Sequence, residues 1–311
     1  MSARDVTPTV AVVPAPIPLA IEAIERAGGM IAAPEEADAI VWTDPAGATA
    51  LATALPSWPA RWIQLPFAGI ESFFEAGVID PSRIWTCAKG IYGPATAEHA
   101  LALMLVAARR LHEHTRATEW TGDTDPPMRT LRGTRALVVG TGGIGAALAT
   151  YLEPLGVEID AISRSGRPAG WARRTATPGD LPALAAECDW LVVAAALTAE
   201  TRGLIGSAVF DAIRPGAWLT NVARGGLVDT AALVAALEHG RLGGAALDVT
   251  DPEPLPPDHP LWRMPDVIIT SHTANTRLMA LPALAEMVER NVRAFAAGAP
   301  LDGLVDPELG Y

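Results

Sequence analysis

The chain contains 311 residues, which is long enough for about two domains with separate hydrophobic cores. Half of its residues are hydrophobic, but no uninterrupted apolar run reaches the roughly 18 residues of a membrane-spanning helix. The formal net charge of −12 argues against the basic footprint that nucleic-acid-binding and anionic-membrane-binding proteins need. We therefore expect no nucleic-acid or membrane partner.

The first 20 residues contain four prolines and a single arginine around a short apolar stretch. This pattern favours an edge strand and loop over a signal peptide. The two cysteines, Cys87 and Cys188, lie far apart and lack the spacing of metal ligands. We therefore expect reduced thiols, no metal and a cytoplasmic protein.

The first third of the chain predicts alternating strands and helices. A helix is expected from Pro18 to Gly28, where a paired glycine follows the apolar pattern. Two small residues, Ala68 and Gly69, follow the third predicted strand, and a ligand could approach the backbone there. The residues alone slightly favour an ordinary strand-to-helix turn. This is the pattern of an α/β fold with parallel strands, and its strands are predicted at 9–13, 39–42, 61–65 and 84–87.

A long helix is predicted over residues 94–114, because Pro94 begins an apolar pattern almost free of helix breakers. It is expected to cross from the first domain to the second. His112 and His114 flank Glu113, but residues two apart on a helix point in different directions, which favours a solvated helix face over a metal site. The polar, turn-rich residues 121–134 predict a loop.

The centre of the chain has the pattern of a strand, a glycine turn and a helix. Residues 136–139 are apolar, and the apolar residues 144, 148, 152 and 155 share one helix face. Between them, glycines at 140, 142 and 145 suit a tight turn, close approach of a pyrophosphate and close helix–sheet packing. A dinucleotide-binding turn is favoured over a turn without ligand, and its expected cofactor-binding residues are Gly140, Thr141, Gly142, Gly143, Ile144 and Gly145.

The next predicted strand, residues 157–162, ends where a unit that binds NAD usually has an acidic residue for the ribose hydroxyls. This chain has Ser163 there, followed by further polar and basic residues. Serine does not repel a 2′-phosphate and guanidinium groups can bind one, so the sequence favours NADP(H) over NAD(H) as cofactor. The alternative interpretation is that both arginines are solvated loop residues without a ligand. The residues expected to contact the cofactor here are Ser163, Arg164, Ser165 and Arg167.

Further strands are predicted at 190–194, 217–221, 244–248 and 267–270, with a helix from Asp229 to His239. Six strands in all would make a full dinucleotide-binding sheet. Ligands bind at the carboxyl ends of strands in such sheets. Three residues able to take part in chemistry follow those ends: Arg224, Glu253 and His272.

The sequence that carries a family resemblance is NVARGGLVDTAALVAALEHGRLGGAALDVTDPEPLPPDHPLW, followed by VIITSHTA. It resembles the signature region of the D-isomer-specific 2-hydroxyacid dehydrogenases, and the likeness covers nearly the whole chain. The resemblance implies that Arg224 binds the substrate carboxylate and carbonyl, that Glu253 pairs with His272, and that His272 is the catalytic acid/base. It further implies a homodimer, and these supporting contacts: Asp248 beside the nicotinamide, Thr198 and Ala223 at the cofactor, and the backbone of Ala68 and Gly69 at the substrate carboxylate.

The chemistry of 2-keto acid reduction agrees with those roles. A hydride must reach the carbonyl carbon and a proton the carbonyl oxygen, and histidine can supply a proton near neutral pH. The Glu253 carboxylate would favour the protonated imidazolium form of His272. The donors of Arg224 would hold the keto acid and offset charge developing on its oxygen.

Within the family, the chain most resembles the short NADPH-using glyoxylate/hydroxypyruvate reductases. The likeness rests on the pair 163–164, the segment AIVWTDP and the C-terminal LVDPELGY. Trp42, in the second of these, either lines the substrate pocket or belongs to the core. Where many members have proline the chain has Ala196 and Ser271, and Asn275 is another departure, all of which bear on substrate preference.

We therefore predict a Rossmann-type doubly wound cofactor domain over residues 94–277. Residues 1–93 and 278–311, with a helix over 281–297, should form a smaller, discontinuous flavodoxin-like α/β substrate domain, and the two crossings should act as a hinge. The predicted activity is reduction of glyoxylate or hydroxypyruvate by NADPH to the D-2-hydroxy acid. The alternatives are an NAD-linked dehydrogenase of a bulkier D-2-hydroxy acid and a dinucleotide-sensing corepressor or scaffold.

Overall fold

The computed structural model describes residues 7–120 and 128–306. The loop predicted over 121–134 and the C-terminal motif therefore lie partly outside the described residues. The chain divides into two compact units, one formed by Met1–Tyr92 with Arg277–Tyr311 and the other by Gly93–Thr276. Each unit contains one parallel sheet with helices, so the predicted two-domain α/β fold is confirmed.

The elements follow one another in three stretches of chain. The first stretch contains β1 (Thr9–Val13), α1 (Pro18–Arg26), β2 (Met30–Ile31), β3 (Ala39–Trp42), α2 (Ala48–Ala54), β4 (Trp62–Gln64), α3 (Glu71–Glu75) and β5 (Ile84–Thr86). The second contains α4 (Gly93–Ala108), α5 (Leu111–His114), β6 (Arg135–Val139), α6 (Gly143–Leu152), β7 (Glu158–Ile162), β8 (Arg174–Ala176), α7 (Leu181–Ala185), β9 (Trp190–Val193), α8 (Ser207–Ala212), β10 (Trp218–Asn221), α9 (Thr230–Glu238), β11 (Gly244–Leu247) and β12 (Val267–Ile269). The third contains α10 (Arg277–Ala297).

The sheet of the first unit has the order β2-β1-β3-β4-β5, which is the flavodoxin-like order. Successive residues of β1 point to opposite faces, so Val10 packs with α1 and α10 while Ala11 packs with the α2 and α3 side. The expected edge position of β1 is wrong, because β1 pairs with β2 on one side and β3 on the other. At two residues, β2 is too short to give a sequence pattern.

The sheet of the second unit has the order β8-β7-β6-β9-β10-β11-β12. This is the doubly wound 3-2-1-4-5-6 order with a seventh strand added at one edge. Seven strands replace the six predicted, because β8 at the other edge was missed. That strand is only half-buried, and its Arg174 pairs with the buried Asp160 of β7 at 2.8 Å, so it lacks the apolar pattern of the other strands.

The long helix predicted over 94–114 is divided in two. Arg110 adopts a left-handed conformation with φ of 49°, which ends α4 and starts α5. Its guanidinium group bonds to Glu113 and, at 2.9 Å, to Asp266. The solvated face expected here is wrong for His112, whose side chain is only 7% exposed and packs edge-on against Trp218.

Helix α10 begins four residues before the predicted start and continues through Pro282. That proline lies in the first two turns, where its missing N–H removes at most one intrahelical bond. Within residues 7–120 and 128–306, we find no helix with the length and apolar character needed to span a bilayer.

Candidate active site

Three loops meet at the carboxyl ends of the adjacent strands β10, β11 and β12. Backbone bonds continue past the strands: the N–H of Asp248 donates to the carbonyl of Asn221 at 2.9 Å, and the N–H of His272 donates to the carbonyl of Asp248 at 2.8 Å. The sheet register therefore fixes where each loop begins. Arg224 follows β10, Glu253 follows β11 and His272 follows β12.

His272 and Glu253 form a direct pair. The Nδ1 atom of His272 lies 2.7 Å from Oε1 of Glu253, and the two side chains are 49% and 42% exposed. Because the carboxylate is an acceptor, Nδ1 carries the proton in this bond. The other ring nitrogen, Nε2, is then the one that can exchange a proton with a substrate oxygen. The predicted pairing of these two residues is present in the structure.

Arg224 is positioned by a buried asparagine at the end of β10. Asn221 donates from Nδ2 to the carbonyl of Arg224 at 2.9 Å and accepts at Oδ1 from the N–H of Ala223 at 3.1 Å. The half-buried Arg224 side chain donates to the carbonyl of Ala223 at 2.7 Å. These bonds fix the backbone from which the Arg224 side chain extends.

The Arg224 loop packs closely against the loop that carries Glu253. A Cβ atom on Gly225 would lie 1.9 Å from the carbonyl oxygen of Thr250, so no larger residue fits there. The N–H of Thr250 also lies 3.4 Å from Oε2 of Glu253. The structure therefore brings the loops of all three predicted catalytic residues to the carboxyl ends of three neighbouring strands.

Asp248 shapes the loop that contains His272. It is buried, and its carboxylate accepts from the Thr270 hydroxyl at 2.6 Å and from the N–H groups of Thr273 and Ala274 at 2.8 and 3.0 Å. Burial would raise the pKa of Asp248, but hydrogen bonds from His99, Thr270 and the two N–H groups lower it to about 2. Its contact with the nicotinamide stays a prediction, and its role in forming the loop is a new observation.

The glycine turn has the features of a dinucleotide-binding turn. Gly140 has φ of 115°, and a Cβ there would lie 2.5 Å from the carbonyl oxygen of Ala194. A Cβ on Gly145 would lie 2.3 Å from the carbonyl oxygen of Gly140. By contrast, nothing lies within 4 Å of a Cβ built on Gly142, the residue that precedes α6. Open space beside the N-terminus of a ten-residue helix suits a pyrophosphate.

Thr141, Gly143 and Ile144 complete this turn and the first turn of α6. Gly143 is closely packed, since a Cβ on Gly93 of α4 would lie 2.6 Å from its carbonyl oxygen. Thr198, in the loop after β9, is half-buried and donates its N–H to the hydroxyl of Thr201 at 2.8 Å. Ala223 is buried after β10. Contacts of these residues with a cofactor stay predictions.

The residues after β7 are those predicted to contact the adenosine ribose, and this contact stays a prediction. Within the described part of the chain, the hydroxyl oxygen of Ser163 is buried without a hydrogen-bond partner. Such a group suits a ligand hydroxyl or phosphate that would satisfy it. Arg164, Ser165 and Arg167 follow, with the Ser165 hydroxyl accepting from the N–H of Arg167 at 3.3 Å. Both arginines are exposed.

The predicted substrate residues of the first unit divide into two cases. Ala68 and Gly69 are half-buried in the loop between β4 and α3. Trp42 is buried in the core on the α2 side of its sheet, beside Trp58 at 6.5 Å between ring centroids. The structure therefore supports the core alternative for Trp42, because its ring is already enclosed by apolar side chains.

One grouping of possible metal ligands occurs among the residues that the structure describes. Atoms of His112, Glu113 and Asp266 lie within 4.8 Å of one another. The guanidinium group of Arg110 already bonds to both carboxylates, so their negative charge is compensated without an ion. We assign this grouping no metal.

The family profile described as "D-isomer specific 2-hydroxyacid dehydrogenase, NAD binding domain" matches residues 101–274, more than half of the chain. The chain belongs to this family. Membership of the D-isomer-specific 2-hydroxyacid dehydrogenases makes it an NAD(P)-dependent oxidoreductase, as predicted. The family acts on small hydroxy and keto acids.

Individual members of the family are similar to the chain. A relative from Thermofilum pendens named glyoxylate reductase is 35% identical over 230 residues, covering 71% of this chain and 67% of the relative. A D-isomer specific 2-hydroxyacid dehydrogenase from Xanthobacter autotrophicus Py2, solved with NADPH and MES, has a TM-score of 0.83 at 28% identity and covers 98% of this chain and 100% of its own. An NADPH-dependent glyoxylate/hydroxypyruvate reductase from Sinorhizobium meliloti, solved with NADP and sulfate, has a TM-score of 0.78 at 26% identity, with coverage of 98% and 100%.

Three residues that shape this dehydrogenase site were not predicted from the sequence. Asn221 directs the Arg224 loop, and Thr270 and His99 bond to the Asp248 region. Asn221 could have been found, because a polar residue at the buried end of a parallel strand needs a hydrogen-bond partner. His99 gave no comparable signal, since its partner Thr270 is 171 residues away in sequence.

Proposed function

We propose that the chain reduces small 2-keto acids of the glyoxylate and hydroxypyruvate type with NADPH to give D-2-hydroxy acids. The observation that carries this proposal is the 2.7 Å pair between His272 and Glu253, in a loop cluster that also contains Arg224. When bound, the nicotinamide supplies the hydride. The protein must then provide a proton, a grip on the carboxylate and a bound cofactor.

The proton comes from His272. Its Nδ1–H stays bonded to Glu253, and its Nε2–H is donated to the carbonyl oxygen as the hydride arrives at carbon. Because the pair is half exposed, substrate and solvent can reach Nε2, and the ring can be reprotonated between turnovers. Glu253 orients the ring and stabilises its positive charge, which is the usual function of a carboxylate beside a catalytic histidine.

Arg224 binds the substrate. Its guanidinium group presents several donors in one plane, which suits a carboxylate together with the adjacent carbonyl oxygen. The backbone of Ala68 and Gly69 stays a prediction for the same carboxylate. A two- or three-carbon keto acid places its carboxylate and carbonyl next to each other, as these donors require.

NADPH is favoured over NADH by the residues after β7. Ser163 offers a buried hydroxyl oxygen that lacks a partner within the described residues, and no carboxylate occupies that position. The exposed Arg164 follows it directly, and the exposed Arg167 lies in the same loop. A 2′-phosphate carries a charge that these guanidinium groups can stabilise. A cytoplasmic homodimer stays a prediction.

Steady-state kinetics test the proposal. The chain is assayed with NADPH or NADH against glyoxylate, hydroxypyruvate and bulkier 2-keto acids, following the loss of reduced nicotinamide. We expect the highest kcat/KM with NADPH and the two small acids. Arg164→Ala should weaken NADPH binding by about tenfold or more and leave NADH binding unchanged, because a charge-assisted hydrogen bond contributes about 1.5–3 kcal/mol.

Two other outcomes would replace the proposal. Faster turnover of bulkier acids with NADH would support an NAD-linked dehydrogenase of a larger substrate. Tight dinucleotide binding without turnover of any acid would support a dinucleotide sensor on the same fold. An equal effect of Arg164→Ala on both cofactors would contradict the assignment of the phosphate site.

A further inference from the structure

His99 lies on α4 and has no part in the function proposed above. Its Nε2 atom lies 2.9 Å from the hydroxyl oxygen of Thr270 and 3.3 Å from Oδ1 of Asp248. The side chain is 22% exposed, so most of the ring is enclosed. Thr270 is the first residue after β12, where the His272 loop begins, and Asp248 is the first residue after the neighbouring strand β11.

The surrounding groups fix which ring nitrogen carries a proton. The single hydroxyl hydrogen of Thr270 is donated to Oδ1 of Asp248 at 2.6 Å. The Asp248 carboxylate is ionised and can only accept. Neither oxygen facing Nε2 therefore has a hydrogen to offer to it. The contacts are hydrogen bonds only if Nε2 of His99 carries a hydrogen and donates it.

The group that His99 contacts controls the backbone of His272. Asp248 accepts from the N–H of His272 through its carbonyl and from the N–H groups of Thr273 and Ala274 through its carboxylate. His272 itself has φ of 52°, a left-handed conformation that a residue with a side chain adopts when its surroundings impose it. The bonds to Asp248 are those surroundings.

Helix α4 is a firm support for this arrangement. It packs against α6, and its first residue, Gly93, approaches the backbone of Gly143 so closely that a Cβ would lie 2.6 Å away. His99 follows Gly93 by less than two helical turns. One helix thus contacts the start of the glycine-turn helix and, through His99, the loop of His272.

We propose that His99 is a positioning residue for the reaction, whose Nε2–H holds Thr270 and Asp248 so that the His272 loop keeps its left-handed conformation. The proposal rests on the proposed role of His272 as proton donor. His99 does not touch the reacting atoms. It acts only by restricting where His272 can be.

Paired variants test the proposal. His99→Phe removes the donor while keeping a ring, and His99→Gln keeps an N–H donor near the position of Nε2. We expect His99→Phe to lower kcat by about tenfold to a hundredfold, the effect of small misplacement of a catalytic group, with the Kd for NADPH unchanged. His99→Gln should recover most of the rate. Glu98→Gln, an exposed neighbour on α4, is the control and should behave as the unmodified chain.

Hydrogen exchange gives a readout that does not depend on activity. In His99→Phe, the amides of residues 270–274 should exchange faster, while those of α6 should be unchanged. Should His99→Phe fail to fold, His99→Leu removes the same donor with a side chain of similar size. It should then show the same loss of kcat and the same faster exchange.

The outcomes separate this inference from the proposed function. Unchanged kcat and exchange in His99→Phe, or a His99→Gln variant as slow as His99→Phe, would overturn the positioning role. Neither result would affect the proposed function if His272→Asn remains inactive. Activity retained in His272→Asn would instead overturn the proposed function itself.

Discussion

At the scale of single residues, the bond between Glu253 and Nδ1 of His272 leaves Nε2 as the ring nitrogen that can transfer a proton. We expect His272→Asn to lower kcat by at least about a hundredfold, the usual contribution of a general acid. The Kd for NADPH should stay the same, since the glycine turn and the residues after β7 are unchanged. Stopped-flow turnover and NADPH fluorescence titration measure the two quantities.

Glu253→Gln is the matched variant for that experiment. The amide can still accept from Nδ1–H, but it carries no negative charge to stabilise the imidazolium. Its kcat should therefore lie between those of His272→Asn and the unmodified chain. A His272→Asn variant with more than about a tenth of the original kcat would contradict the general-acid role.

Two glycines of the cofactor turn predict opposite effects of the same substitution. Gly142→Ala meets open space and an ordinary φ of −76°, so stability should change by no more than about 0.5 kcal/mol. The new methyl group would nevertheless occupy the side on which a pyrophosphate approaches, and the Kd for NADPH should rise by about tenfold, equivalent to about 1.4 kcal/mol.

Gly140→Ala should instead destabilise the fold. Its φ of 115° and the 2.5 Å approach to the Ala194 carbonyl leave no room for a Cβ atom. Thermal unfolding of both variants with and without NADPH distinguishes the two effects. Equal destabilisation of the apo proteins would mean that the space beside Gly142 is smaller than the structure indicates.

At the scale of elements, the carboxylate of Asp248 connects the end of β11 to the loop after β12, and this link depends on pH. The folded-state pKa is about 2, against an ordinary value of 3.8, so the unfolded chain binds the proton first. The stabilisation is therefore complete above the ordinary value and is lost as pH falls through about 2. Its size is on the order of 2 kcal/mol.

Urea unfolding between pH 6 and pH 2.5 or so measures this contribution. The difference in free energy of unfolding between the unmodified chain and Asp248→Asn should shrink as the pH falls, because asparagine does not titrate. Asp258→Asn, at an exposed loop position, is a control. A difference that is constant over this pH range would show that the Asp248 charge contributes nothing to folding.

The same elements show what the sequence could and could not predict. Ten strands were expected close to their observed positions because each contains a run of mostly apolar residues. The missed strands, β2 and β8, are short edge strands with exposed or half-buried side chains, so they lack that pattern. The break at Arg110 was missed because it contains neither glycine nor proline and is stabilised by distant Asp266.

The candidate site was predictable for a related reason. Its residues follow the ends of buried strands, where the order of the elements alone brings them together, and the family resemblance named their roles. The contacts of His99 with Thr270 and Asp248 depend on how α4 packs on the sheet, which no local pattern encodes. Trp42 was ambiguous because a buried tryptophan and a pocket tryptophan look alike in sequence.

At the scale of the whole molecule, each unit contains one buried free cysteine, Cys87 in the first and Cys188 in the second. Burial raises the pKa of both thiols, and that of Cys188 to about 12. Neither should react with a disulfide reagent at pH 8 or so in the native state, and both should react in denaturant. Fast native labelling of either would contradict its burial.

The single-cysteine variants Cys87→Ser and Cys188→Ser then make labelling specific to one unit. NADPH should slow the labelling of Cys188 by stabilising the unit that contains the glycine turn. The effect should fall to zero in Gly142→Ala at NADPH concentrations below its raised Kd. Equal protection of both cysteines would mean that the two units open together.

The first unit is formed by two separate segments of the chain, and this determines when it can fold. Its α1 packs against α10, where Arg26 bonds to Glu289 at 3.0 Å and a shared apolar cluster includes Val10 and Val292. On the ribosome, α10 emerges only after the whole second unit has been synthesised. The contiguous second unit can therefore complete its core during translation, while the face of the amino-terminal sheet that α1 covers only in part stays partly exposed until α10 has emerged. A nascent chain stalled before residue 277 should for that reason be a strong client for chaperones that bind exposed apolar surface.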